Sequence, residues 1–392
     1  MTRTNLSVLV GHDWPTDICD NIMSKTTIYS PKSNINSIQV KKDTLSAVGL
    51  TKNVRRIVTM LNRDGKAVIY SDETIAIKGW PGADAGDAII WSTKNVPADI
   101  SDEDLLGDKR KIGMTLAQGS VFRITELGPG FATPMHRTRS IDYCTVLLGE
   151  LEAILDGGET IRLFPGDTFV QCGTSHSWHN PSRNERCRFM VCMIEAHPIN
   201  IAGKILDRTP VWRMVVSSLL TMLSQKSAKD DVKSVPPQEL PTKSRIIVST
   251  HNGEGKAVVL LENDLSVGSK KSIDGSGSVL WGTSSVPADN SNNDNGQETN
   301  ESSFFYGSSF ELIELVPGAV TKVRQSTSID YCMMLTGELE MSLAGGESVK
   351  LIPGDTAVQR GTSYVLRNLN KEISCRLMVC KIAALSLNVV NN

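Results

Sequence analysis

The sequence predicts an all-β chain of two tandem sandwich-or-barrel domains joined by a short helical linker. Three observations carry this prediction. One long stretch is written twice at a constant offset of 188 residues, each copy is made of short β-rich runs punctuated by Gly and Pro, and the segment between the copies is of different composition.

The repeat comes first. "GSVFRITELGPG" at 119–130 returns as "GSSFELIELVPG" at 307–318, and "LLGELEAILDGGETIRLFPGDTFVQCGTS" returns as "LTGELEMSLAGGESVKLIPGDTAVQRGTS". The offset holds without a gap from Gly119 to Cys192. Upstream, "DGKAVIY" and "WSTKNVPAD" return at an offset of 190 as "EGKAVVL" and "WGTSSVPAD". A period this long is a duplicated domain and not a solenoid. The repeated units are residues 54–197 and 245–385. The domain division is therefore an N-terminal extension at 1–53, a first barrel at 54–200, a helix and linker at 201–244, and a second barrel at 245–392.

Within each copy, "SVFRITEL", "YCTVLLG", "ELEAIL", "DTFVQC" and "CRFMVCMIE" have strand length and strand composition. Period-two alternation puts Asp142, Cys144, Val146 and Leu148 on one face. The "GG" at 157–158, repeated at 345–346, is a hairpin turn and not a phosphate loop, because no helix start follows it. Trp91 recurs as Trp281, which marks it as structural. Between the copies, residues 211–223 have the pattern of an amphipathic helix, and a polar Pro-containing linker follows. The Asn/Ser-rich run at 289–303 reads as a surface loop. The first fifty residues have no counterpart in the repeat and are expected to pack on a barrel or add edge strands.

Composition sets limits. In 392 residues, 40% hydrophobic and 21% charged, both halves can bury a core. The net charge of -2 and a longest basic cluster of three residues, "KRK" at 109–111, give no footprint for nucleic acid or an anionic membrane. No run is long enough to span a bilayer and none reads as a signal segment, so the expected location is cytoplasmic. The chain has eight cysteines. Six of them fall at matched positions inside apolar runs, as buried reduced thiols do.

"GFATPMHRTRSIDYCTVLLG" at 130–149 resembles the first motif of the cupin superfamily, with Gly130, His136, Asp142 and Gly149 at that motif's spacing. "GDTFVQCGTSHSWHN" at 166–180 resembles the second motif, with Gly166, His176 and Asn180. The resemblance covers both repeats and implies two jelly-roll barrels, a bicupin. It also implies that His136, Asp142 and His176 hold one divalent metal (iron, manganese, zinc or nickel) in the first barrel. The family's second motif-one histidine is Thr138 here and its glutamate is the shorter Asp142. Thr138 is therefore expected to stand behind the ligands. A metal-free acid/base pair made by the same imidazoles is the alternative, and ordinary core histidines are the plain reading. Tyr143, Cys144, Trp178 and Thr138 are the expected substrate contacts.

The second copy departs from the first. At the shifted positions His136 becomes Arg324, Thr138 becomes Ser326 and His176 becomes Tyr364, while Asp142 stays as Asp330. A guanidinium has no lone pair for a metal, so no metal is expected in the second barrel, and Arg324 is expected to pair with Asp330. The resemblance then implies division of labour. The first barrel acts on a small, largely apolar metabolite by proton-transfer, lyase, isomerase or cyclase chemistry, and the second supplies a partner surface. A metal-dependent dioxygenase or decarboxylase is the runner-up, and a non-catalytic small-molecule binder is the third reading. The expected partners are a small-molecule substrate and, for the chain itself, a second copy in a homodimer.

Overall fold

The structure is a computed structural model that describes residues 53–100, 105, 107–209, 244–265, 277–291, 296 and 306–385. Residues 1–52 of the N-terminal extension, the expected helix at 211–223 and most of the 289–303 loop lie outside the described residues. Those residues contain no α-helix, and so none long and apolar enough to cross a membrane. They form two barrels, each built from one large, mostly antiparallel sheet and one small antiparallel sheet.

The large sheet of the first barrel has eight strands, in the order Ala257–Leu265, Ser244–His251, Thr168–Cys172, Ser140–Leu148, Cys187–Glu195, Ser120–Leu127, Ala85–Thr93 and Lys78–Gly79. Its small sheet is His176–His179, Leu151–Leu155 and Thr160–Leu163. The second barrel has a seven-stranded sheet in the order Ser278–Thr283, Ser308–Leu315, Cys375–Ala383, Ser328–Thr336, Thr356–Arg360, Asn53–Leu61 and Ala67–Ala76. Its small sheet contains Arg324–Gln325, Ser363–Asn368, Leu339–Leu343 and Ser348–Leu351.

These orders show an exchange that the repeat does not reveal. The first hairpin of each copy lies on the large sheet of the other barrel. Asn53–Leu61 pairs in parallel with Thr356–Arg360, and Ser244–His251 pairs in parallel with Thr168–Cys172. The units are contiguous in sequence but reciprocal in space. Two equivalent ion pairs hold the exchange, Arg55 to Asp355 at 2.8 Å and Arg245 to Asp167 at 2.7 Å. The repeated "GG" turn has its reason here. A Cβ on Gly157 would stand 2.0 Å from the Ala257 carbonyl oxygen, and one on Gly345 would stand 2.1 Å from that of Ala67. Each turn presses against the other copy's exchanged hairpin, and the second Gly takes a positive φ, +103° at Gly158 and +96° at Gly346.

Alternation sorts the side chains into three cores. Val121, Cys144, Leu151, Phe169, Trp178 and Phe189 fill the first barrel. Ile57, Ile313, Cys332, Met341 and Leu377 fill the second. Side chains on the opposite strand faces join the two large sheets in a core of their own, where Phe122 stacks on Tyr331 at 5.2 Å and Tyr143 on Phe310 at 4.9 Å. Cys192 and Cys380, equivalent in the repeat, meet in this core. The seven described cysteines are all buried free thiols.

Candidate functional site

The two histidines of the first barrel come together through the backbone. His136 and His176 exchange both amide hydrogen bonds, at 2.8 and 2.9 Å, as a pair bridging two extended segments. Their rings lie 4.3 Å apart with an interplanar angle of 57°. They are buried, at 4% and 2% exposure. Each Nδ1 faces a main-chain carbonyl, that of Pro134 at 2.8 Å for His136 and that of Thr174 at 3.0 Å for His176. A carbonyl only accepts, so both rings carry their proton on Nδ1 and keep the Nε2 lone pair. Burial lowers the pKa of His136. It lowers that of His176 well below the ordinary 6.5, and the neighbouring His136 adds to the effect. Both imidazoles are therefore neutral at neutral pH and available as bases.

Asp142 is in the same barrel, but it does not join them. It makes no ion pair or hydrogen bond with either ring. Its Oδ2 accepts a hydrogen bond from Thr138 at 3.3 Å, and Thr138 in turn accepts one from Ser140 at 2.8 Å. Burial pushes the carboxyl up to about 6, opposed by the Ser140 and Thr138 hydroxyls and by Arg123. Among the described residues, no group of three or more His, Cys, Asp or Glu is placed to hold a metal ion. The motif's imidazoles converge, whereas its carboxylate is held by Thr138. The three-ligand set implied by the resemblance does not fit this arrangement.

Trp178 stands beside His176 at 5.3 Å, edge to face, and packs on Phe169 and Phe189 to make an aromatic wall. Cys144 lines the same interior, and burial raises its thiol well above the ordinary range, which leaves it inert. Tyr143 is a correction. One residue from Asp142, it points out of the barrel, stacks on Phe310 and hydrogen-bonds Ser308 at 3.0 Å. It joins the barrels and cannot touch a substrate inside the first. Asn180, shared by both motifs' copies, is also structural. Its amide donates to the carbonyls of Leu127, Gly128 and Glu185, as Asn368 does in the second barrel.

Two inward residues were missed. Arg123 lies in mid-strand, bonded to Asp87 at 3.3 Å and to the carbonyls of Gly113 and Met114. A lone charge inside the apolar run "SVFRITEL" was the available signal. Gln171 lies directly across from Asp142 in the ladder, 1% exposed, with neither amide atom hydrogen-bonded. Its alternation with Phe169 would have placed it inside. A surface cleft of about 590 Å³ lies elsewhere, lined by Glu159, Arg162, Arg245 and Glu262, and does not reach the histidines.

In the second barrel Arg324 and Tyr364 occupy the bridged positions of the two histidines. The expected pairing of Arg324 with Asp330 is corrected. The cation opposite Asp330 in the ladder is Lys381, which also binds Glu311 at 2.8 Å. Asp330 takes its hydrogen bonds from Ser326 and Ser328.

No protein-family model matches the chain. Over 94 residues it is 48% identical to the phomopsin biosynthesis cluster protein C′ of Diaporthe leptostromiformis, covering 24% of this chain and 50% of that protein. The chain thus spans about half the length of that relative. It is 35% identical over 163 residues to the cupin-domain-containing oxidoreductase virC of Hypocrea virens, covering 40% of this chain and 84% of that protein. The cupin-domain-containing oxidoreductase srdD of Neurospora crassa is 34% identical over 157 residues, 39% of this chain and 79% of that protein. Among solved structures, AerE from Microcystis aeruginosa aligns with a TM-score of 0.34 at 13% identity, over 67% of this chain and 87% of that one.

Proposed function

We propose that this chain, which belongs to the cupin superfamily with its barrel duplicated, is an enzyme of secondary metabolism that moves a proton on a small, largely apolar organic molecule held in the first barrel. Relatives named for phomopsin and oryzine biosynthesis clusters support the metabolic setting. The observation that carries the chemistry is the pair of neutral imidazoles with free Nε2 lone pairs beside the Trp178 wall.

In that arrangement one imidazole accepts a proton from a substrate C–H or O–H on its Nε2, exchanges it with solvent, and as the imidazolium returns a proton to the substrate at a second position, which leaves the ring neutral again. The Nδ1–carbonyl bonds fix both rings and stabilise the imidazolium formed in passing. Return of the proton to another atom gives an isomerase or cyclase, and loss of a leaving group gives a lyase. The second barrel, with Arg324 and Tyr364 at these positions, has no such base and serves as the fixed partner of the first.

A second reading is a metal-dependent oxidoreductase: the names of the virC and srdD relatives supply the oxidoreductase, and the cupin motifs supply the metal. It requires a third ligand beyond the two imidazoles. The test is metabolite profiling in deuterated medium of a host expressing the full chain, its His136→Ala variant or its His176→Ala variant. The expected product is isomeric with its precursor, or lighter by a small leaving group, carries deuterium, and disappears with either substitution. A product that persists in both variants sinks the proposal. A product that gains oxygen, and forms only with added iron or manganese, establishes the second reading.

A further inference from the structure

The two barrels carry the same row of inward positions, and they satisfy it differently. In the first barrel the ladder places Ser249, Gln171, Asp142, Met193 and Val121 side by side across five strands. In the second the equivalent row is Thr59, Gln359, Asp330, Lys381 and Ser309. Register partners share a face, so each row is one continuous strip of barrel wall.

In the second barrel the strip is more nearly complete, with Asp330 Oδ2 left unpartnered but the glutamine and lysine engaged. Lys381 faces Asp330 and binds Glu311, Ser309 also donates to Glu311 at 2.8 Å, and Gln359 accepts from Thr362, whose hydroxyl meets Thr59 at 2.9 Å. In the first barrel the lysine is Met193 and the serine is Val121, both without hydrogen-bonding capacity of this kind. Gln171 is left with Oε1 and Nε2 unpartnered, and Asp142 with Oδ1 unpartnered, all fully buried. Buried polar atoms without partners are costly and uncommon, and three of them lie on two facing residues. The same pair exists in both copies, and the Lys381 and Ser309 beside it in the second are Met193 and Val121 in the first.

We propose that this strip is the head-group subsite of the first barrel and that the substrate presents to it a neutral carboxamide. The proposal rests on the enzymatic reading above. A carboxamide oxygen accepts from Gln171 Nε2, one of its N–H groups donates to Gln171 Oε1, and the other donates to Asp142 Oδ1. All three unpartnered atoms are then satisfied. A carboxylate fits worse. Asp142 and Asp87 already outnumber Arg123, whose guanidinium is bonded to Asp87 and two carbonyls, so an anion meets net negative charge. The Phe169, Trp178 and Phe189 wall receives the apolar remainder of the molecule.

The test uses the full chain and three probes of one shape: phenylacetamide, phenylacetate and ethylbenzene, with binding read by calorimetry. Phenylacetamide is expected to bind at least tenfold tighter than either of the others. Gln171→Leu is expected to abolish that preference while keeping ethylbenzene binding and leaving the melting temperature unchanged or higher, since it removes two unpartnered atoms. Met193→Lys, which copies the second barrel, is expected to exclude phenylacetamide in a folded protein. No binding of phenylacetamide at millimolar concentration, equal binding of phenylacetate, or an amide preference that survives Gln171→Leu overturns the proposal. So does a fall of several degrees in melting temperature in Gln171→Leu, which would mean that the amide is structural, for example through buried water. Loss of the amide preference beside intact histidine-dependent turnover discards the head group and keeps the proton-transfer reading. An amide preference beside histidine-independent turnover does the reverse.

Discussion

Replacing Arg245 by Ala measures how firmly the exchanged hairpin is held on the first barrel. Arg245 comes from the second copy and Asp167 from the first. Its Nε and Nη2 donate to Asp167 Oδ2 at 3.2 and 2.7 Å, and its Nη1 reaches Glu262. Asp167 has a side-chain exposure of 2%, Arg245 27% and Glu262 50%. The Glu262 contact is therefore a surface pair and contributes little. Removing one member of a fully buried pair costs about 3–5 kcal/mol. Two features reduce that here: water reaches the arginine side, and Asp167 keeps backbone N–H bonds from Phe164 and from residue 245 itself. The expected loss is about 2–3 kcal/mol. The equivalent change at Arg55 should cost less, about 1–2 kcal/mol, because Arg55 and Asp355 are more exposed, at 33% and 9%. Urea denaturation at constant slope gives both values. A loss below about 0.5 kcal/mol for Arg245→Ala, or one smaller than for Arg55→Ala, would refute the reasoning that buried pairs anchor the exchange.

Three further outcomes follow from the site and the interface. Burial lifts the Asp142 carboxyl from 3.8 to about 6. The folded state therefore holds this proton more tightly, and stability is lost as pH rises through that window, by up to about 3 kcal/mol above it. Asp142→Asn should accordingly be more stable than the parent at pH 7 and no more stable at pH 3.5, and a variant less stable at pH 7 contradicts this. Tyr143→Phe should cost about 1 kcal/mol through its bond to Ser308 and leave turnover unchanged; a loss of turnover without a loss of stability would return Tyr143 to the site. A thiol reagent should label at most one cysteine in the native chain and all eight after denaturation, because the seven described thiols are buried and free. Rapid native labelling of two or more would show that the core between the barrels opens.

The parts of the site that could be read directly were those set by local rules. The resemblance to the two cupin motifs singled out His136 and His176, and alternation put Asp142 and Cys144 on one face. The same rule, carried one residue further, would have excluded Tyr143, since a neighbour on a strand faces the opposite way. Arg123 and Gln171 carried only a weak signal, a polar residue inside an apolar run, which has meaning only once the strand's inner face is known. Pairing Arg324 with Asp330 rested on the positions they share with His136 and Asp142 in the first barrel. The ladder instead sets Lys381, fifty-one residues from Asp330, directly opposite it.

The sequence by itself determined the duplication, the all-β class, the cupin resemblance and the asymmetry between the copies, because each is written in local pattern and in the comparison of one copy with the other. Which barrel each hairpin completes was decided only by the tertiary structure, since either sheet offers an equivalent edge and the choice lies in contacts between residues as much as 300 positions apart, as for Arg55 with Asp355. The same holds for the turning of Asp142 away from the imidazoles and for the unpartnered strip in the first barrel. Both depend on which residues a closed ladder sets side by side, and strand registry is a property of the folded sheet rather than of any one strand.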